Sequence, residues 1–307
     1  MTGNESRFAD GPFAGKKLGE AWPEMPPEWT GARVDHTVAF PLLVKFIFSE
    51  DKLSVQVHPD DAYAAKHGNG GRGKTEMWYA MSGRPGAEVL AGLEPEVTRD
   101  SFERAIASGT AEDCLLHVPV RAGDAVFVPA GTVHTIGAGL VLCEIQEQSD
   151  TTYRVFDYNR RDAQGNTRDL HVEKALEVIR FGEQRGGKIT PVLTEGNGVA
   201  KTYFVACPYF ATEKWEFAGR AAGSTSRERF ELMIIIAGNG TIEWGSSRAA
   251  YAAAQVWLLP AALGAFALAA DSSTSVLRTF VPADSKKVWR GLIEQGVTES
   301  DLARIVF

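Results

Sequence analysis

Short apolar runs, each about the length of a strand, alternate with turns bearing glycine or proline along nearly the whole chain. Such runs cannot build the long helices of a bundle, and they lack the intervening helical periods of βαβ units. They point instead to a mainly β chain folded as a sandwich or barrel. Strands are expected at Leu42–Phe48, Leu53–His58, Glu76–Met81, Glu88–Ala91, Asp124–Val128, His134–Gly137 and Leu140–Gln146. A second series is expected at Thr202–Ala206, Ala211–Phe217, Phe230–Ala237, Thr241–Trp244, Gln255–Leu259 and Ser275–Phe280. Helices are expected to be few and short: Asp61–His67, Asp100–Ser108 behind an Asp-x-x-Glu cap, Val172–Phe181, Lys287–Gln295 and Ser300–Ile305.

The two series of strands look alike. Glu76 and Gly83 bracket an apolar strand with the same spacing as Glu231 and Gly238. GDAVFVPAGTVH (Gly123–His134) aligns with AQVWLLPAALGA (Ala254–Ala265) when Pro129 is laid on Pro260, which puts Ala265 where His134 stands. This reads as a degenerate internal repeat whose second copy keeps the scaffold and loses the polar ligand. Two unrelated β-domains with similar turns are the alternative. The glycine-rich stretch 182–198 reads as a linker between an N-terminal domain, 1–181, and a C-terminal domain, 199–307.

Charge and cysteine content narrow the function. The 307 residues carry 32 Lys+Arg against 39 Asp+Glu, a net charge of -7 with no long basic run, so no nucleic-acid partner is expected. An anionic small substrate remains compatible, because screening over roughly 8 Å makes local cations matter more than net charge. Cys114, Cys143 and Cys207 form neither a disulfide framework nor a CxxC metal pair. The N-terminal sequence has no basic and apolar regions of a secretory signal. Ala249–Ala270 is uncharged and long enough to cross a bilayer, but it is mostly alanine and is broken by Pro260 and Gly264. A pair of strands fits it better, so no membrane partner and a cytoplasmic location are expected.

One group of polar residues stands out in the first half. In Leu53–His58, Val55 and Val57 share one strand face while Ser54, Gln56 and His58 share the other. A polar face of that kind suits the lining of a wet cavity. Glu76 heads the next strand, and His134 follows the turn Pro129-Ala130-Gly131-Thr132. Two imidazoles, a carboxylate and an amide oxygen make a mixed nitrogen and oxygen donor set, suited to zinc or another divalent first-row metal. Without cysteine ligands, the pattern is that of a catalytic rather than a structural site.

These residues resemble a known family. Gly123, Pro129, Gly131 and His134 match the second cupin motif, with Ala138 in place of its closing Asn, and Glu76 with Gly83 matches the end of the first. Gln56 stands where that first motif usually begins with His, and Pro59–Thr75 is far longer than the usual spacer. Those departures are similar to the type I phosphomannose isomerases. SVQVHPDD (Ser54–Asp61), GKTEMWY (Gly73–Tyr79), PAGTVHTIG (Pro129–Gly137) and EIQEQSDTTYRVFDYNR (Glu144–Arg160) resemble that family's short bacterial form. The resemblance covers about Pro41 to Arg161 and weakens on either side.

The resemblance implies two cupin-type jelly-roll barrels with a few short helices, the second barrel lacking metal ligands. It implies Gln56, His58, Glu76 and His134 as ligands of one divalent ion, zinc first. It places Arg154 and Lys74 in the substrate pocket with Glu144 and Asp150 close by, and it implies interconversion of mannose 6-phosphate and fructose 6-phosphate through an enediolate. Such chemistry needs an acid/base group and positive charge where an oxyanion develops. Arg154 is the expected oxyanion or phosphate partner, Lys74 a phosphate partner, and Ser54 a donor to phosphate or sugar. Glu144, a metal-bound water and a histidine outside the metal site all remain candidates for the general base. His36, His67, His117 and His171 are given no role. Two other readings stand beside this one: a cupin iron oxygenase, and a non-catalytic, metal-containing sugar-binding cupin. A monomer or homodimer is expected.

Overall fold

The computed structural model describes residues 6–32, 34–35, 38–68 and 71–307; His36 lies outside the described residues. The chain divides into two compact units, Leu42–Ile189 on one side and Met1–Pro41 with Thr190–Phe307 on the other.

The first unit contains β1 (Leu42–Ser49), β2 (Val55–Val57), β3 (Glu76–Gly83), β4 (Glu88–Leu93) and β5 (Leu115–Pro119). It continues with β6 (Ala125–Val128), β7 (His134–Ile136), β8 (Leu140–Glu147), β9 (Tyr153–Phe156) and β10 (Gly187–Lys188). They form two antiparallel sheets, ordered β1-β8-β3-β6-β10 and β5-β4-β7-β2-β9. Trp78, Val126 and Leu142 from the first sheet pack against Val89 and Ile136 from the second, giving an interior core. The other face of the second sheet is covered by the helices Arg99–Ser108 and Val172–Val178. There Val55, Val57 and Val155 pack with Phe102 and Leu176. The alternation of β2 thus sends its valines to the helices and Gln56 to the inside.

The second unit contains β11 (Val192–Gly196), β12 (Val199–Ala206), β13 (Ala211–Phe217), β14 (Arg220–Ser224) and β15 (Glu231–Ala237). After these come β16 (Asn239–Trp244), β17 (Ser247–Ala252), β18 (Val256–Leu259), β19 (Ala265–Ala270) and β20 (Thr274–Phe280). Its sheets run β11-β12-β13-β20-β15-β18 and β14-β19-β16-β17. Trp215, Met233, Ile235 and Val276 meet Ile242, Phe266 and Leu268 between them.

The strand order repeats. β13-β20-β15-β18 follows the pattern of β1-β8-β3-β6, and β14-β19-β16-β17 that of β2-β7-β4-β5. Register repeats as well: Glu76 lies opposite Val128 and Glu231 opposite Leu259, each partner preceding the aligned proline. Even the bulge recurs, between Ala80 and Ser82 in one unit and between Ile235 and Ala237 in the other.

Three expectations need correction. Residues 182–198 are not a free linker, because Gly187–Lys188 pairs with β6 and Val192–Gly196 with β12; a glycine-rich segment can still serve as a sheet edge. The first forty-one residues group with the second unit, not with 42–181. Trp22 is buried there and meets Phe40 and Phe230 at ring-centroid distances of 4.9 and 5.6 Å. The cap of helix Arg99–Ser108 is Thr98, whose side chain and that of Ser101 exchange bonds with each other's backbone N–H; Asp100 lies inside the first turn. Ala249–Ala270 forms strands, and no helix among the described residues is long and apolar enough to cross a membrane.

Candidate metal centre

Three segments of the first unit deliver the donors. Gln56 on β2 lies opposite His134 on β7, so they start as neighbours on one sheet. Glu76 opens β3 on the other sheet, where Trp78 and Glu144 are paired. His58 follows β2 directly. Two close backbone approaches set these positions. Gly131 has φ 86°, and an added Cβ there would lie 2.5 Å from Arg180; its N–H donates to the His58 carbonyl at 2.8 Å. Gly73 has backbone of Asp60 and Asp61 2.7 Å from where a Cβ would stand. That approach lets the long segment Pro59–Thr75 fold back, with the Lys74 N–H on the Pro59 carbonyl at 3.0 Å, and returns Lys74 beside His58.

The donor atoms of His58, Glu76 and His134 lie within 4.8 Å of one another, and all three residues are buried. His134 Nε2 is 3.3 Å from Glu76 Oε1, and His58 Nε2 is 3.6 Å from Glu76 Oε2. Each imidazole places Nδ1 2.9 Å from a backbone carbonyl, Thr151 for His58 and Thr132 for His134. Nδ1 is therefore the protonated nitrogen, and the Nε2 lone pair faces the centre, as a metal ligand requires. Burial, then Lys74, pushes His134 down to about 4 and His58 well below its usual value, so both rings are neutral. Glu76 Oε1 is buried with no hydrogen-bond partner, an orphaned acceptor aimed at the donor cluster. The Gln56 amide reaches His134 Nε2 at 3.3 Å. The imidazole nitrogens of His58 and His134 and the unsatisfied Glu76 oxygen fit a divalent ion.

Lys74 is buried, with Nζ 2.9 Å from His58 Nε2 and a second bond to Glu76 Oε2, so it sits against the donor cluster. Burial opposes its charge, but Glu76 and Glu144 outweigh burial and raise its pKa. Glu144 is also buried. Burial alone would raise its pKa, yet Lys74, Lys45 and a bond from Trp78 hold it below the usual carboxylate range. Its Oε2 meets Lys45 Nζ at 2.8 Å and its Oε1 accepts from Trp78 Nε1 at 3.2 Å. Trp78 also sets its ring edge-on to His134, with centroids 5.4 Å apart, so it is a core residue that orients both.

Arg154 lies opposite Gln56, and its Nε donates to Ser54 Oγ at 3.1 Å while Nη1 donates to the Asp169 carbonyl at 3.0 Å. The buried carboxylate of Asp157 is bridged by Arg160 and Arg168 instead, which leaves Arg154 directed along the polar face of β2. Asp150 is exposed and acts electrostatically on Lys74. Lys45 is the residue that sequence reasoning missed. The one charged side chain in LLVKFIF was the available signal.

The comparisons agree with this geometry. The family model for the mannose-6-phosphate isomerase cupin domain matches residues 200–279, within the second unit. A mannose-6-phosphate isomerase from Streptococcus mutans is 39% identical over 221 residues, 72% of this chain and 68% of its own length. The probable mannose-6-phosphate isomerase GmuF of Bacillus subtilis is 39% identical over 264 residues, 86% of this chain and 82% of its own. The crystal structure of a Bacillus subtilis mannose 6-phosphate isomerase superposes with a TM-score of 0.82 at 31% identity, covering 90% of this chain and 85% of that one. A putative mannosephosphate isomerase from Archaeoglobus fulgidus, 18% identical, shares the fold at a TM-score of 0.67 over 85% of this chain and 78% of its own. With the motifs, the donor cluster and these relatives in agreement, the chain belongs to the mannose-6-phosphate isomerase family.

Proposed function

We propose that this chain interconverts mannose 6-phosphate and fructose 6-phosphate, moving a proton between adjacent carbons through an enediolate. The observation that carries the reading is the convergence of buried His58, Glu76 and His134 donors beside an ionised Glu144 and two cations. Zinc suits the donor set, with Gln56 as fourth ligand; when bound, it supplies Lewis-acid polarisation of sugar oxygens. Glu144 takes the proton: a base must be unprotonated, and Lys74 and Lys45 favour that form. Lys74, an ammonium among the ligands, stabilises negative charge growing on the sugar oxygens. Arg154, oriented by Ser54, supplies a permanent charge to the enediolate or the phosphate, with Asp150 at the rim. In the second barrel Ala265 takes the place of His134, so one ion per chain is expected.

The test is formation of fructose 6-phosphate from mannose 6-phosphate by the purified protein, before and after chelation. Activity lost to chelator and restored by zinc is expected. A fully metal-loaded protein without turnover would point to a binding module, and oxygen uptake to an oxygenase.

A further inference from the structure

The repeated register allows the centre of the first unit to be followed, position by position, into the second. Glu76 corresponds to Glu231, since Val128 and Leu259 are their respective partners. His134 corresponds to Ala265, five residues beyond the aligned proline, and Gln56 to Ser224, because Gln56 pairs with His134 and Ser224 with Ala265. Ser226 then stands in the place of His58. On the central strands, Trp78 lies opposite Glu144, whereas Met233 lies opposite Arg278. Lys45 lies opposite Glu144, whereas Glu213 lies opposite Arg278. The carboxylate of the first position is thus conserved as Glu231, both imidazoles are gone, and the Lys45–Glu144 pair returns with its polarity reversed.

That reversal places a guanidinium inside the second unit. Arg278 Nε donates to Glu231 Oε2 at 2.8 Å and Nη2 to Glu231 Oε1 at 2.7 Å, a two-pronged grip on the carboxylate. Nη1 donates to Glu213 Oε1 at 2.9 Å, and Nη2 also reaches the Ser224 carbonyl at 3.2 Å. The same Glu213 Oε1 also accepts from Trp215 Nε1 at 2.9 Å, and Arg278 lies over the Trp215 ring at 5.3 Å. Glu231 and Glu213 are both buried. Arg278 spans from Glu231 on one sheet to Ser224 on the other, the same two strand positions that carry Glu76 and Gln56 in the first unit.

We propose that the Arg278 guanidinium is the second unit's built-in replacement for a metal ion. It fills the cation position between Glu231, Glu213 and the Ser224 carbonyl and closes it to metal; without Arg278, the position is a binding site for a small planar cation of the guanidinium class. The inference rests on the metal reading only for the comparison it draws, because the contacts of Arg278 stand independently. Arg229 also acts electrostatically on Glu231 and Glu213, but the hydrogen bonds to both come from Arg278. Two buried carboxylates that lose these bonds destabilise the fold, and a free ion with the same fork of donors satisfies them.

The experiment is thermal unfolding of the full chain with Arg278→Ala. A loss of roughly 10 °C is expected. Millimolar guanidinium chloride should recover part of it, while sodium chloride of equal ionic strength should not. An unfolding temperature unmoved by the substitution, or a loss that guanidinium does not recover, overturns the proposal. If Arg278→Ala does not fold, Arg278→Lys keeps the charge but loses the fork, and its unfolding temperature must fall; a value equal to wild type is contrary to the proposal. Metal content separates the two readings. His134→Ala should remove all bound zinc, and adding it to Arg278→Ala should leave the recovery by guanidinium unchanged, whereas zinc retained by His134→Ala in the second unit overturns the inference. A wild-type protein that binds no zinc would sink the proposed function and leave the guanidinium result standing.

Discussion

A carboxylate as deeply buried as Glu144 stays ionised because cations face it, and Lys45 is the one that can be removed without touching a metal ligand. Lys45→Met should lower kcat on the order of a hundredfold. Because Glu144 then loses an opposing charge, its pKa rises, and the acid limb of the rate profile should move to higher pH; an unshifted limb would separate Lys45 from Glu144. His134→Ala should lose metal and turnover together. Arg154→Ala should keep the metal and lose turnover by roughly a hundredfold to a thousandfold, read by metal analysis alongside kinetics. The ligands were legible because each breaks a local rule: Gln56 and His58 make a polar strand face, and His134 follows a Pro-x-Gly turn. Lys45 was not, since a lone lysine on an edge strand ordinarily serves only to keep that edge in solvent. Its meaning depends on which strand pairs with β1, and pairing of residues a hundred apart is not written locally.

The segment that carries Lys74 back to the donors is held at both ends by carboxyls. Asp61 Oδ1 accepts from the Gly73 N–H at 2.6 Å, and Glu147 Oε1 accepts from the Thr75 N–H at 2.7 Å. Burial, then the nearby Asp61 charge, pushes Glu147 up to about 8, against the opposing bonds from Thr75 and the charge of Arg72. Its folded-state value lies above its unfolded value of 4.5, so the folded protein holds the extra proton between them. This contribution to stability is therefore full below about 4.5 and is lost as pH rises through about 8. Glu147→Gln, neutral at every pH, should flatten that decline. It should gain on the order of a few kcal/mol relative to wild type at alkaline pH and little at acid pH, measured by urea unfolding across the range. A parallel decline in both proteins would show that Glu147 does not titrate there. At this scale the strands read well where alternation was clean. β5, β9, β10, β11, β14 and β17 were missed: β5 alternates exposed and buried residues on a sheet edge, β9 holds four residues and β10 two, β11 lies in the stretch read as a linker, and β14 and β17 are rich in alanine, whose small side chain signals neither period.

Two units with repeated topology invite the reading of a chain cut in the middle, but the contacts cut it at Pro41 and Thr190 as well. The strand repeat was visible in sequence because Glu-to-Gly spacing and the aligned prolines fall within single segments. The return of the N-terminal segment to a unit beginning at residue 190 was not, because no local pattern names a partner so far along the chain. What holds it there is specific. Gly31 leaves only 2.4 Å between a would-be Cβ and the backbone of Glu228 and Arg229, and the Phe230 N–H donates to the Thr30 carbonyl at 3.1 Å. Trp22, 2% exposed, fills the space against Phe40 and Phe230 and donates from Nε1 to the Val38 carbonyl at 2.8 Å. Trp22→Ala removes that ring and leaves a cavity, a change that costs about 3–5 kcal/mol in a packed core. The loss belongs to the unit holding β15, so hydrogen exchange should quicken at Phe230 and along Glu231–Ala237. All four proposed ligands lie within Leu42–Ile189, each unit having its own core, so zinc content should stay at the wild-type level. Exchange that quickens equally in β2, β3 and β7, with zinc lost alongside, would mean that the N-terminal segment supports the metal centre as much as the second unit.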